Sequence, residues 1–222
     1  MTPGEALTEL EARADPDRAA QMVAYHKADR RYLGIPNGEL DELVRDWRRS
    51  LAPDPGFTQA LWDSDIHEAL VAAAKLLTKA RIADDAEVWT TLASWVPFFD
   101  GWAIADHVAI AGGKRLVSDP SRLDTVETWA ASDDLWTRRA ALTFTLPWAR
   151  LTHPKEDDLA ARTRILGWAA GMVPDGRWFI QKAIAWWLRD LSKKAPETTR
   201  AFLDTHGTAM KPFARREAAR FL

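Results

Sequence analysis

The sequence predicts an all-α protein whose short helices stack in pairs as a curved α-solenoid. Apolar residues recur with a helical period along nearly the whole chain. No run of alternating β-branched residues occurs, and no Asn-Gly or Asp-Gly hairpin turn sits between two such runs. Glycine and proline break the pattern at short intervals, which is the rhythm of stacked helix pairs.

The expected elements follow in order. Asp15-Pro16 sets a capping acid before a proline at the first helical position. A break follows at Gly34-Ile35-Pro36 and another at Pro53-Asp54-Pro55-Gly56. Asp65 precedes Glu68 by capping-box spacing, predicting a helix start there. Gly112-Gly113 reads as a turn between helices, and Asp119-Pro120 as the next start. Later breaks fall at His153-Pro154, Pro174-Asp175-Gly176 and Gly207. Roughly ten to twelve helices of about 10–18 residues result, joined by short connections in a single domain over residues 1–222. A solenoid of this kind presents a concave face suited to a long, stiff ligand.

Composition narrows the chemistry. The chain of 222 residues can bury a core without staples. It has no cysteine, which removes disulfides, thiolate metal sites and cysteine nucleophiles. The N-terminal stretch carries Glu5, Glu9 and Glu11 in place of a basic-then-apolar leader, and no apolar run is long enough to span a bilayer. A cytoplasmic protein with no membrane association is expected.

The net charge of −2 argues mildly against a polyanionic partner, but its distribution argues for one. From Trp186 to Leu222 eight basic residues stand against four acidic ones. Of the twelve tryptophans, eight lie beyond residue 100, and most are expected in the core for the area they bury. The five histidines show no metal spacing, so no metal or other cofactor is expected. Gly112-Gly113-Lys114 lacks the remaining glycine spacing and the hydroxyl residue of a phosphate loop.

Four stretches carry a resemblance. They are Met22-Val-Ala-Tyr25-His-Lys27 with Gly34-Ile35; Trp129-Ala-Ala-Ser-Asp133-Asp-Leu-Trp136-Thr-Arg138-Arg139-Ala140; Phe179-Ile-Gln-Lys182-Ala-Ile-Ala-Trp186-Trp-Leu-Arg189; and Pro212-Phe-Ala-Arg215-Arg216-Glu217-Ala218. In this order, over nearly the whole chain, they resemble the AlkD-type DNA alkylation repair family. The resemblance implies HEAT-like helical repeats around a concave DNA-binding groove. It also implies hydrolysis of the glycosidic bond of N3- and N7-alkylated purines in double-stranded DNA, without closing the base into a pocket.

Carried over residue by residue, the family's central aromatic and acid fall on Trp102 and Asp106, its arginine on Arg139 and its second tryptophan on Trp186. Tyr25, Lys27, Arg138, Lys182, Arg189, Arg215 and Arg216 are the implied DNA contacts. Gly101 and Ala103 stand where the family often has a further aromatic and a further acid. A nearly gapless register would instead place Phe99 under the tryptophan and Ala103 under the acid, leaving no carboxylate. The Trp102/Asp106 register keeps both residue types on one helical face, one turn apart.

In the implied chemistry the alkylated purine is already cationic and leaves without protonation, so the barrier lies in the positive sugar. A carboxylate at Asp106 would stabilise that charge and orient the attacking water. Trp102 and Trp186 would flank the cationic nucleotide through their π faces. Arg139 would clamp a phosphate, with Arg189, Arg215 and Arg216 gripping the backbone further away. A monofunctional glycosylase acting as a monomer is the expectation. Two alternatives stand beside it: a DNA-binding relative without catalysis, suggested by Gly101 and Ala103, and a helical scaffold for protein partners.

Overall fold

The computed structural model describes residues 1–52 and 54–222; Pro53, the first residue of an expected break, lies outside the described residues. The described residues form fourteen α-helices, two 3-10 turns and no strand. A lone bridge pairs Arg31 with Ile66. The chain divides into two compact units, Met1–Ser118 and Asp119–Leu222.

The first unit holds α1 (Pro3–Glu11), α2 (Pro16–His26), α3 (Asn37–Ser50), α4 (Pro55–Trp62), α5 (His67–Leu76), α6 (Asp85–Trp95) and α7 (Trp102–Ser118). Its starts are set by side chains that satisfy orphan amides of the first turn. Thr2 and Glu5 close a reciprocal capping box on α1. Asp15 accepts from the Arg18 amide at α2, and Asp54 from those of Gly56 and Phe57 at α4. Nearly every residue of α5 is buried. That helix packs on α3, α4 and α7, and the core gathers around Leu61, Leu70, Leu92, Val108 and Leu116. Trp62 and Trp95 stack at 4.3 Å.

The second unit holds α8 (Leu123–Ala130), α9 (Leu135–Phe144), α10 (Leu146–Arg150), α11 (Glu156–Met172), α12 (Trp178–Ser192), α13 (Pro196–His206) and α14 (Pro212–Ala218). Helix α12 is its centre and touches α9, α10, α11, α13 and α14. Its Trp187 is fully buried and donates to the Thr145 carbonyl at 3.3 Å. Only a stripe of α12 reaches solvent: Trp178, Phe179, Lys182, Trp186 and Arg189.

Three expectations are corrected. Gly112-Gly113 is not a turn, because α7 runs through both glycines, which are buried where a neighbouring helix can approach closely. Asp65 and Glu68 form no capping box. The N-cap of α5 is Ile66, without a side-chain cap, and Glu68 reaches a distant loop. The helices outnumber the expected ten to twelve and several are shorter, because proline splits them: Pro97 sits in the 3-10 turn after α6, and Pro147 in the first turn of α10 directly after α9. Asp119-Pro120 starts a 3-10 turn that leads into α8.

Candidate nucleic-acid interface

In the first unit the loop after α2 and the start of α7 bring the family stretch together. Trp102 is the first residue of α7 and is half-buried. Its ring meets Tyr25 edge-on at 6.0 Å and His26 at 5.4 Å. Behind them His26 stacks on Tyr32 at 5.6 Å, and Tyr32 on His67 at 4.7 Å. Tyr25 is 68% exposed, so its ring is presented to solvent beside Trp102. Lys27 follows as an exposed C-cap in the left-handed region (φ 58°).

A buried carboxylate fixes this wall. Glu68 is 1% exposed and accepts the Leu33 amide at 2.9 Å, that of Gly34 at 2.8 Å and that of Ile35 at 3.2 Å. Gly34 has φ +84°, and a Cβ there would lie 2.3 Å from the Asp15 carbonyl oxygen, so no other residue fits. A cavity of about 250 Å³ opens between these elements, lined in part by His26, His67, Glu68, Trp102, Ala103 and His107.

Burial disfavours the charged form of each histidine of the wall. Burial, then the neighbouring His26 and Arg30, push His67 down to about 3. Burial and then Lys75, against a weaker opposing pull from Asp41, bring His107 down to about 4. Burial also lowers His26, with Glu68 opposing. The surroundings of Trp102 therefore place no imidazolium in the way of a cation.

Asp106 lies one turn beyond Trp102 on α7 and is half-buried. In the alternative register Phe99 is buried against Trp62 at 6.4 Å and Ala103 is buried too, so neither is presented as Trp102 is. Addition of a Cβ at Gly101 would meet open space.

The remaining candidates belong to the second unit. Arg139 in α9 is 3% exposed, its guanidinium 5.8 Å from the Trp136 ring centroid. The side chain expected to clamp a phosphate is thus buried. Arg138 lies 3.7 Å from Asp175. Trp186 is half-buried on the exposed stripe of α12, under the Arg150 guanidinium at 5.9 Å. Arg150 is held by Asp190 at 2.8 Å. Lys182 and Arg189, also on that stripe, converge on one carboxylate, Glu217 of α14, at 2.5 and 2.6 Å. Arg215 and Arg216 are exposed, with no ion pair among the described residues.

Sequence reasoning missed Glu68, Glu217 and the histidine wall. Glu217 stood within a recognised stretch, but its two partners are 35 and 28 residues away. No local pattern shows such a pairing. Among the described residues no group of three or more His, Asp or Glu is arranged to hold a metal. None of the helices is long and apolar enough to cross a membrane.

The family described as DNA alkylation repair enzyme matches residues 6–222, and the chain belongs to that family. Its fold is similar to that of a predicted DNA alkylation repair enzyme from Enterococcus faecalis, at 22% identity and a TM-score of 0.76 over 95% of this chain and 97% of that one. It is also similar to AlkD2 from Streptococcus mutans, at 18% identity and a TM-score of 0.59 over 83% and 89% of the two chains. A third similar structure is described as a new family related to the HEAT-like repeat DNA glycosylases, with affinity for branched DNA structures. It shares 14% identity at a TM-score of 0.67, over 92% of this chain and 81% of that one. The fold is therefore that of the HEAT-like repeat proteins. No curated protein sequence matches the chain.

Proposed function

We propose that this protein is a monofunctional DNA glycosylase that removes cationic N3- and N7-alkylated purines from double-stranded DNA. The observation that carries this reading is the presentation of Trp102 beside exposed Tyr25, with Asp106 one turn along the same helix. Membership of the DNA alkylation repair family supports it.

In this reading Trp102 packs against the sugar of the damaged nucleotide and attracts its positive charge through the ring face, an effect of about 0.5–2 kcal/mol. Burial of the histidines behind it disfavours their charged forms, so they add little opposing charge. The glycosidic C1′–N9 bond breaks with both electrons moving to the purine, whose formal charge is thereby cancelled. Positive charge develops on the sugar, and the Asp106 carboxylate stabilises it. Water then adds at C1′ and releases its proton to solvent, leaving an abasic site. No lysine is assigned as a nucleophile, so the strand is not cut. Trp186 and Arg139 of the second unit keep the roles that the family resemblance implies, a ring for the nucleotide and a cation for a phosphate. Tyr25, Lys27, Arg138, Lys182, Arg189, Arg215 and Arg216 supply further backbone contacts.

The test is release of N7-methylguanine and N3-methyladenine from methylated duplex DNA by wild type and by Asp106→Asn. Loss of a preorganised electrostatic group slows such a step by roughly 100–1,000-fold, and that loss is expected here with DNA affinity retained. Equal release by both proteins would remove Asp106 from the chemistry. Ala103 at the place of a family acid, together with the branched-DNA affinity ascribed to a relative, favours a second reading: a DNA-binding protein without catalysis. It predicts wild-type binding with no base released.

A further inference from the structure

The second unit carries a row of aromatic rings that the glycosylase reading does not use. Trp136 of α9 meets Phe179 at 4.6 Å, Phe179 meets Trp178 at 4.9 Å, and Trp178 stacks on Phe213 of α14 at 5.8 Å and 22°. Trp178 is 53% exposed, the one tryptophan among the exposed large apolar residues described. A large indole left in water at the rigid start of a helix is costly, because burial of an aromatic ring is a main source of stability. Its neighbours hold it there: Phe179 packs edge-on and Phe213 nearly parallel, so one broad ring face is fixed in direction.

At the Phe213 end of this row the exposed charge is positive. Lys211 is exposed two residues before Phe213, its stem lying against Gly176. Arg216 is exposed one helical turn after Phe213. Near Phe213 the acids are already taken, Asp175 by Arg177 at 2.6 Å and Arg138 at 3.7 Å and Glu217 by Lys182 and Arg189, whereas Asp133 and Asp134 are exposed at the Trp136 end of the row. An apolar protein surface would find a single row of rings fringed by cations. A strand of nucleic acid presents what fits both parts: flat bases that stack on an indole, and phosphates at regular spacing that cations hold. Paired bases inside a duplex have no face to offer. We propose that Trp178 and Phe213 form a stacking platform for unpaired bases of a DNA strand, with Lys211 and Arg216 holding its phosphates, so that the protein favours duplexes with a frayed, forked or gapped segment. This rests on the reading of the protein as DNA-binding, and it holds whether or not the protein releases bases.

The experiment is fluorescence anisotropy with end-labelled DNA, comparing a fully paired duplex with the same duplex carrying a forked end. The proteins are wild type, Trp178→Ala, Trp178→Phe and Phe213→Ala, with thermal melts as a check on folding. Wild type is expected to favour the fork. Trp178→Ala is expected to lower fork affinity about tenfold, the order for one lost stacked base, and Trp178→Phe to keep most of it. Duplex affinity is expected to hold within about twofold, as for an exposed substitution elsewhere. Equal affinity of wild type for both DNAs, or a fork preference that survives Trp178→Ala and Phe213→Ala, overturns the platform and leaves duplex binding standing. Binding of neither DNA by wild type overturns the DNA reading and the platform with it. A dimer in solution that Trp178→Ala dissolves also overturns it, by assigning the row to a second copy of the chain.

Discussion

The two units differ in charge and in how they hold their candidate residues. The first, Met1–Ser118, has thirteen basic against nineteen acidic residues, a net of −6. The second, Asp119–Leu222, has seventeen against thirteen, a net of +4. In the first unit most candidate residues stand on an aromatic wall fixed by a buried carboxylate. In the second they are cations on helix faces, several already paired. Affinity for phosphates comes from Lys and Arg, whereas stabilisation of a developing cation needs rigid aromatic faces and a carboxylate. On the proposed reading, backbone grip falls mainly to the second unit and stabilisation of the developing cation to Asp106 and Trp102 of the first, and the overall charge of −2 conceals this division.

The comparison breaks most sharply at Glu68. Its carboxylate accepts three backbone amides of the loop that supports Tyr32 and, through it, His26. Glu68→Ala leaves those amides without a partner in a buried place, at about 1–3 kcal/mol for each group that water does not reach. A loss of roughly 3–5 kcal/mol is expected, read as a fall in the urea midpoint, with base release lost beyond what the folded fraction explains. A loss below about 1 kcal/mol would mean that the wall does not depend on this anchor.

Proton linkage through the buried histidines gives the next largest effect, and both of them lie in the first unit. His67 and His107 sit at about 3 and about 4, below their ordinary value of 6.5, because burial disfavours the imidazolium. Between those values and about 6.5 the unfolded chain binds protons that the folded one refuses, so stability is full above about 6.5 and falls as the pH drops. The slope is about 1.4 kcal/mol per pH unit for each fully buried group. From pH 7 to 5 the pair is expected to cost roughly 2–4 kcal/mol, less whatever solvent reaches His107. Urea melts at the two values measure it, and His67→Phe should flatten the curve. A flat profile in wild type would show that the rings are hydrated.

Local sequence carried the parts of this molecule that are local. Asp15 caps its helix as the acid and proline beside each other predict. The stripe of α12 was legible as a motif because its spacing follows one helix face. Asp65 and Glu68 show the limit. Their spacing is that of a capping box, but the chain puts Asp65 at φ 53° facing Arg30 and sends Glu68 to a loop more than thirty residues back. Gly112-Gly113 has the letters of a turn, yet both glycines lie buried within α7. Which unit a candidate falls in, and which cation is already paired, depend on packing that no window of sequence contains.

The smallest effects sharpen the contrast from the second unit. Arg215 and Arg216 are exposed and without an ion pair among the described residues, so each is ready to replace a counterion at a phosphate. Replacing either by Ala should reduce the slope of log affinity against log salt by about 0.9 and weaken binding to all duplex sequences alike. Lys182 and Arg189 behave differently, because Glu217 already neutralises part of their charge at 2.5 and 2.6 Å. To meet a phosphate they must share or leave that carboxylate, so their net gain on binding DNA is small. Glu217→Gln removes the competing charge while keeping a hydrogen-bonding group of the same size. It should steepen the salt slope by up to about 1.8 and tighten duplex binding at low salt. A weaker complex with an unchanged slope would show that Glu217 serves by aiming the two cations, and that their paired state in the free protein is the state that meets DNA.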